Sequence, residues 1–245
     1  MKKYYNLYIL LIIISLSVVE GCQQKQVPVN TLSKEEIKEG WQLLFDGKST
    51  EHWRGYNKAD FPDYGWTIED DALFCQHSDM GEAGWGGDII TRKKYSDFEL
   101  KLDWKVDKAA NSGVFYLMNE LPGEPGWHGA PELQILDGAN FPLELQADQL
   151  SGSAYGLVAA DPQTIKPYGE WNQIRIIHKD REVEHWQNGK EVVSFTIGTP
   201  EWKKMVLESK FSEYPEFLNM SKEGHIGLQD HGGGVWFRNI KIREL

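Results

Sequence analysis

Cysteine is nearly absent from this sequence. Only Cys22 and Cys75 occur among 245 residues, and Cys22 lies in a segment that we expect to be processed, so no disulfide is available to a folded domain. Cys75 lies beside apolar residues in DDALFCQH. A thiol in that setting is expected to be buried and inert rather than nucleophilic. The fold must therefore be stabilised by a hydrophobic core.

Basic clusters and the common catalytic signatures are also missing. The net charge is -11 with a pI near 5.1, and no Lys/Arg cluster occurs outside the extreme N-terminus, which argues against nucleic acid as a partner. The chain has no G-x-S-x-G elbow, Walker loop, dinucleotide fingerprint, H-E-x-x-H or C-x-x-C pair. These absences argue against the serine hydrolases, nucleotide-binding enzymes and zinc proteases that carry such motifs.

The N-terminal segment has the pattern of an envelope-targeting signal. Lysines precede an apolar run over Leu7–Val19, and a glycine stands directly before Cys22, as in a bacterial lipoprotein signal. We therefore predict a signal segment over residues 1–22 with lipidation at Cys22, a polar tether over 23–31 and a folded domain over 32–245. An uncleaved membrane anchor is the alternative. Either way the domain is expected in the cell envelope, on the periplasmic or outer-membrane face.

Aromatic residues and alternating patterns dominate the rest of the chain. Ten Trp, ten Tyr and ten Phe residues supply a sizeable core and leave some rings for a ligand surface. The alternation in FELKLDWKV places Leu100 in the core, with Glu99 and Lys101 outside it. Asn188-Gly189 predicts a tight hairpin. Short strands with Gly, Pro, Asn and Asp between them predict a single all-β domain, a β-sandwich or jelly roll.

Short surface helices are expected in two places. A helix should begin within Leu32–Gly40, because Ser33 and Glu36 have the spacing of a capping box. The stretch Glu201–Phe211 lacks alternation and follows a proline, which favours a surface helix that ends before Pro215.

One strand carries an unusual set of polar residues. In APELQILDG, Leu133 and Ile135 point to the core, whereas Glu132 and Gln134 point away from it and Asp137 stands at the end. A solvated edge would usually carry Lys, Thr or Ser there. The pattern indicates a wet, concave face that holds something polar.

A second strand offers a matching polar face. In GHIGLQDHGGG, Ile226 faces the core, while Gln229 and His231 lie on the other face with small glycines that leave room. Pairing these residues with Glu132 and Gln134 would form a polar floor. The alternative is that the two strands present unrelated solvated faces.

Three further residues are weaker candidates for a binding role. Asn111 begins an Asn-Ser-Gly stretch that is also typical of a simple turn into a strand. Trp127 lies beside His128 in the loop PGWHGAPE, where an aromatic ring can serve as a platform for sugar stacking or can pin the loop to the core. The stretch Gly84 to Asp88 is open to the same two interpretations.

Seven motifs resemble those of a known family, in the same order. They are LFDGKSTEHW, GGDIITRKKYSDFELKLDWKV, NSGVFYLMNE, APELQILD, GEWNQIRI, EHWQNGKEVV and GHIGLQDHGGGVWFRNIKIREL. They cover about Gly40 to Leu245 and resemble the 3-keto-disaccharide hydrolase domain family. The segment EWKKMVLESKFSEYPEF is similar to a helical insertion in one branch of that family.

The resemblance implies a concanavalin A-like jelly-roll β-sandwich with short surface helices. It also implies an enzyme that acts on glycosides oxidised at C3, as a hydrolase of 3-keto-disaccharides or as a 3-keto-glucoside 1,2-lyase paired with hydration of the resulting 2-hydroxy-glucal. The positions that match the polar motifs of the family are Asn111, Glu132, Gln134, Asp137, Gln229 and His231. His128 falls in a variable loop.

The chemistry of such a reaction suits these residues. A ketone at C3 acidifies the C2 proton, so loss of the C1 substituent needs one base, a group that stabilises the enolate and an acid for the leaving group. We expect Glu132 and His231 to be catalytic and to act as base and acid. A divalent metal ion is a conceivable cofactor, with Glu132, Asp137 and His231 as candidate ligands.

Two other classes of function stay open at this stage. A non-catalytic carbohydrate-binding module would have the same fold and the same surplus of aromatic residues. A glycosidase with two flanking carboxylates is disfavoured, because Gln134 stands where the second acid would be expected. In each case carbohydrate is the expected partner.

Overall fold

The protein is described by a computed structural model that covers Met1 and residues 27–78 and 85–245. The predicted signal segment, the lipidation site at Cys22 and Gly84 lie outside the described residues. Among the described residues, no helix is long and apolar enough to cross a membrane.

Thirteen strands form two antiparallel sheets in the described part of the chain. The strands are β1 (Gln42–Leu43), β2 (Trp53–Gly55), β3 (Trp66–Glu69), β4 (Ala72–Cys75), β5 (Ile89–Thr91), β6 (Phe98–Val106), β7 (Asn111–Met118), β8 (Glu132–Leu136), β9 (Asn172–Lys179), β10 (Glu182–Gln187), β11 (Lys190–Thr196), β12 (His225–Leu228) and β13 (Val235–Glu244). The larger sheet has the order β11-β10-β9-β6-β13-β4-β3, with β1 also paired to β13, and the smaller sheet has the order β2-β5-β12-β7-β8. The fold is a concanavalin A-like jelly-roll β-sandwich, as the sequence predicts.

The core lies between the two sheets and follows the predicted alternation. Leu100 in β6 and Leu133 in β8 are fully buried in one hydrophobic cluster that both sheets share. Glu99 lies on the outer face of β6, as predicted, but it is only 2% exposed. The reason is that Arg175 and Arg243 close over its carboxylate, each at 2.5 Å. The prediction that Glu99 lies outside the core is right, yet the side chain is buried by ion pairing.

Two local predictions are confirmed. The first helix, α1 (Lys34–Lys38), begins at a capping box in which Ser33 and Glu36 each bond the other's backbone N–H group. The β10–β11 hairpin turns at Asn188-Gly189, with φ values of 48° and 81°. Both residues need the left-handed conformation that such a two-residue turn requires.

The predicted helix over Glu201–Phe211 exists but is shorter than expected. Helix α2 spans Pro200–Leu207, and a separate 3-10 turn follows at Lys210–Glu213. Pro215 does not end this region, because it begins another short helix, α3 (Pro215–Leu218). A proline fits the first turn of a helix, where its missing N–H group has no intrahelical partner.

Cys75 and His185 are two of the titratable side chains that are buried in the described part of the protein. Cys75 is fully buried, and burial raises the pKa of its thiol, which agrees with the inert role predicted for it. His185 links the sheets, because Tyr116 donates a hydrogen bond of 2.9 Å to its Nε2 and its Nδ1 donates one of 3.0 Å to the Gly152 carbonyl. Burial lowers the pKa of His185 to about 4.

Candidate active site

The carboxylate of Glu132 lies in a gap left by a glycine. Strand β8 directs Leu133 and Ile135 to the core, so Glu132 points to the outer face of the smaller sheet. On the neighbouring strand β7, a Cβ atom at Gly113 would lie 2.0 Å from Glu132 Oε1. The missing side chain of Gly113 therefore creates the space that the carboxylate occupies.

The second strand with a predicted polar face is β12, and it follows β8 and β7 in the order of the smaller sheet. Strand β12 pairs with β7, and just past its end the N–H of Gln229 donates to the Gly113 carbonyl at 3.0 Å. As a result Glu132, Gln134, Gln229 and His231 line one cavity of about 30 Å³, which we call the central pocket. The alternative of two unrelated solvated faces is excluded.

Other segments complete the wall of the central pocket. The additional lining residues are Asn111, Trp127, Ala130, Tyr155, Lys210 and Phe211. Asn111 and Trp127 were among the residues predicted to bind substrate. Tyr155 and Lys210 were not, because they lie in a loop and in a 3-10 turn that no periodic pattern connects to the polar strands.

Two amide oxygens at the central pocket have no hydrogen-bond partner among the described residues. They are Oε1 of Gln229, a residue that is only 5% exposed, and Oδ1 of Asn111. By contrast, Oε1 of Gln134 accepts from the N–H of Ile135 at 3.0 Å. Because buried acceptors are nearly always paired in native structures, the two oxygens indicate a site for a ligand with hydroxyl donors or for water.

Trp127 contributes to the wall and is also packed against the core. It lies in a 3-10 turn over Gly126–Gly129, and its ring meets that of Tyr214 edge to face at 5.2 Å. Its neighbour His128 does not line the central pocket. The His128 ring instead contacts Tyr214 at 4.2 Å, and its Nδ1 lies 3.0 Å from Glu124 Oε2.

Lys210 brings a positive charge to the mouth of the central pocket. Its Nζ lies 4.9 Å from the centre of the Trp127 ring and 4.3 Å from that of Tyr155. Gly156 lies against Phe211 in this region, with a φ of 65°, and a Cβ atom there would lie 3.2 Å from the Phe211 ring. The ammonium group is thus held beside aromatic faces, an arrangement that favours cations.

Asp137 lies apart from the central pocket. Its carboxylate accepts from the N–H of Ala109 at 2.8 Å and from Asn140 Nδ2 at 3.1 Å, so it fastens the loop after β8. Within the described ranges, no group of three or more His, Cys, Asp or Glu side chains could hold a metal ion. Glu132, Asp137 and His231 therefore do not form one cluster.

A buried carboxylate between Gln229 and His231 holds the segment after β12. Asp230 is fully buried, and its Oδ2 accepts from the N–H groups of Gly86 at 2.8 Å and Gly87 at 3.1 Å. This residue fixes the turn that directs its two neighbours into the central pocket. The sequence pattern gave no signal for it beyond its position between them.

Two wider clefts flank the central pocket. One, of about 380 Å³, shares Trp127 and Gln229 with it, and we call it the Trp127 cleft. The other, of about 660 Å³, lies between α2 and residues 146–157 and shares Tyr155 and Lys210 with the central pocket; we call it the α2 cleft. Since the central pocket alone is smaller than a sugar ring, a disaccharide would need the clefts as well.

The fold and this site define a jelly-roll β-sandwich with a polar pocket on the outer face of its smaller sheet. Residues 40–243 match the family described as the 3-keto-alpha-glucoside-1,2-lyase-like domain. The chain belongs to this family, which confirms the resemblance seen in its motifs.

Similar proteins agree with this assignment. A 3-keto-disaccharide hydrolase of Bacteroides thetaiotaomicron is 39% identical over 244 residues, which cover 90% of this chain and 84% of the relative. The structure of a candidate glycosyl hydrolase from Parabacteroides distasonis matches with 34% identity and a TM-score of 0.81, over 89% of this chain and all of that one. The carbohydrate-binding module CBM66 of Bacillus subtilis shares the fold, with 12% identity, a TM-score of 0.50 and coverage of 79% of this chain and 96% of that one.

Proposed function

We propose that the protein cleaves 3-keto-disaccharides at the central pocket. The relative from Bacteroides thetaiotaomicron, named for that activity, supports the proposal. The observation that carries it is the position of Glu132, whose carboxylate lies in the gap over Gly113 among unpartnered amide oxygens. This site presents one buried carboxylate with polar neighbours, which is what an elimination next to a ketone requires.

Glu132 acts as the base in the proposed reaction. It removes the proton from C2 of the 3-keto ring, and the electron pair of that C–H bond forms an enolate with C3. When the C3 carbonyl re-forms, a double bond forms between C1 and C2 and the bond from C1 to the leaving oxygen breaks. The leaving oxygen takes a proton, for which His231 is the candidate donor.

The elimination and the hydrolysis of a 3-keto-disaccharide differ by one step. Addition of water across the new C1–C2 double bond gives the free 3-keto sugar, so elimination followed by hydration has the stoichiometry of hydrolysis. Glu132 and His231 lie in the same pocket and can return the protons they have exchanged. One site therefore accounts for both descriptions of the activity.

The other residues at the pocket bind the sugar and offset negative charge. The free amide oxygens of Asn111 and Gln229 accept hydrogen bonds from sugar hydroxyl groups. Lys210 and the side-chain amide of Gln134 lie where they can stabilise the enolate oxygen. Stabilisation of developing charge by preorganised donors is usually a large part of enzymatic rate enhancement.

Purified wild-type protein and the Glu132→Gln variant should be incubated with a 3-keto-disaccharide and with its unoxidised parent. We expect wild type to release sugar from the keto form only, and Glu132→Gln to lose activity by at least about 10²-fold, the usual contribution of a general base. Cleavage of the parent would support a two-carboxylate glycosidase instead. Binding without turnover would support the carbohydrate-binding module, and full activity of Glu132→Gln would exclude Glu132 as the base.

A further inference from the structure

The α2 cleft and the Trp127 cleft differ in what they offer to a sugar. The Trp127 cleft is lined by an aromatic ring and by Gln229, whose buried amide oxygen has no partner among the described residues. A ring bound across this cleft and the central pocket can donate a hydrogen bond to that oxygen and pack against the Trp127 ring. The reacting 3-keto ring needs such contacts, because they hold its C2 atom in position beside Glu132.

The α2 cleft is open to solvent and continuous with the central pocket. Tyr155 and Lys210 line both, so a ligand that reaches beyond the central pocket can extend into the α2 cleft. Its far wall is formed by residues of α2 and its C-cap, among them the exposed Glu201 and Glu208. A departing group can therefore leave through this cleft while the reacting ring stays bound.

Acidic side chains dominate the rim of the α2 cleft away from Lys210. Asp148, Glu201 and Glu208 line it, together with Lys204. Lys204 lies 3.9 Å from Glu208 and offsets its charge. Neither Asp148 nor Glu201 forms an ion pair with another described residue, so both carboxylates leave negative potential in the cleft.

We propose that the α2 cleft is the leaving-group subsite and that Asp148 and Glu201 make it select neutral sugars over anionic ones. The inference rests on the proposed function, because it assigns the leaving group of that reaction. At low salt, two partly solvated carboxylates within a Debye length should weaken the binding of an anionic leaving group by roughly fivefold relative to a neutral one. The preference should weaken as salt is added.

The test compares kcat/KM for three 3-keto-glucosides that differ only in the leaving group: a neutral hexose, a hexuronic acid and methanol. We expect wild type to prefer the neutral hexose over the uronic acid by about fivefold. The double variant Asp148→Asn/Glu201→Gln should bring this ratio close to one. Glu35→Gln removes an exposed carboxylate on α1, outside the α2 cleft, and as the matched control it should keep the wild-type ratio. Circular dichroism verifies the fold of each variant.

The methyl glycoside separates two kinds of failure, because its small leaving group does not reach the rim. If wild type cleaves none of the three substrates, the proposed function is wrong. This inference is then wrong as well, because it rests on that function. If wild type cleaves the methyl glycoside but prefers the uronic acid, the subsite assignment is wrong. It is also wrong if the double variant keeps the wild-type ratio.

Discussion

Replacing Gly113 with alanine tests the arrangement of the central pocket directly. A Cβ atom there would lie 2.0 Å from Oε1 of Glu132 and 2.6 Å from its Cδ, whereas ordinary contacts begin near 3.4 Å. The carboxylate must therefore move by more than about 1 Å to avoid overlap. Gly113 has no positive φ, so alanine fits the strand backbone and the displaced side chain accounts for the whole effect.

The displacement should affect activity more than stability. A shift of about 1 Å in a reacting group can cost about 10²-fold in rate, and we expect kcat/KM of Gly113→Ala on a 3-keto-disaccharide to fall by that factor. Overpacking should lower the free energy of unfolding by about 1–3 kcal/mol, measured by urea denaturation. The control is Gly138→Ala, since Gly138 also lacks a positive φ and its Cβ would meet only the tips of leucine side chains, the nearest being that of Leu150 at 3.3 Å.

A double-mutant cycle identifies the cause of any loss. In a Glu132→Ala background the carboxylate is gone, so Gly113→Ala should cost little further stability, and the two changes should be coupled by about 1–2 kcal/mol. If Gly113→Ala folds and keeps the wild-type kcat/KM, then the position of the Glu132 carboxylate does not control the reaction. Additive costs in the cycle would likewise refute the steric explanation.

Three other predictions follow from single residues. Gln229→Leu should lower kcat/KM by about tenfold and change stability little, because the lost amide oxygen has no partner among the described residues and is proposed to bond the substrate; a large loss of stability with unchanged kcat/KM would contradict this. Burial lowers the pKa of His185 in the folded protein to about 4, below its ordinary value of 6.5, so the unfolded chain binds more protons between these pH values and stability falls as pH drops through this window. Wild type should therefore lose about 2 kcal/mol more unfolding free energy than His185→Gln between pH 7 and pH 5, and equal losses in urea titrations would refute the assignment. Cys22→Ser should abolish lipidation and release the protein from the membrane fraction, whereas unchanged partitioning would show that the apolar segment itself is the anchor.

The sequence predicts the strand faces of the site well, because side-chain direction has a fixed period of two in a strand. Leu133 and Ile135 lie in the core, so Glu132 and Gln134 had to face away from it. What the sequence does not show is which strands are neighbours. Strand β7 pairs with β12 more than a hundred positions further along the chain, and no local pattern encodes such a contact.

Residues from loops were missed for a related reason. Lys210 reaches the central pocket because the predicted helix ends at Leu207 and the chain turns again before Pro215. Propensity predicts that a helix exists but places its ends poorly. The burial of Glu99 was likewise unpredictable, since it depends on Arg175 and Arg243 from two other strands.

The two outer sheet faces differ in the residues that cover them. On the larger sheet, tryptophan rings and cations cover the surface; Lys105 lies over Trp236 at 4.3 Å and Arg238 over Trp171 at 3.8 Å. A cavity of about 380 Å³ also lies on this face, and its lining residues include Lys101, Asp103, Arg175 and Trp186. On the smaller sheet the missing side chain of Gly113 leaves a gap, and the neighbouring strand places a carboxylate in it. A glycine diagonal to an acid on the adjacent strand thus creates space for the carboxylate without any change in the jelly roll beneath it.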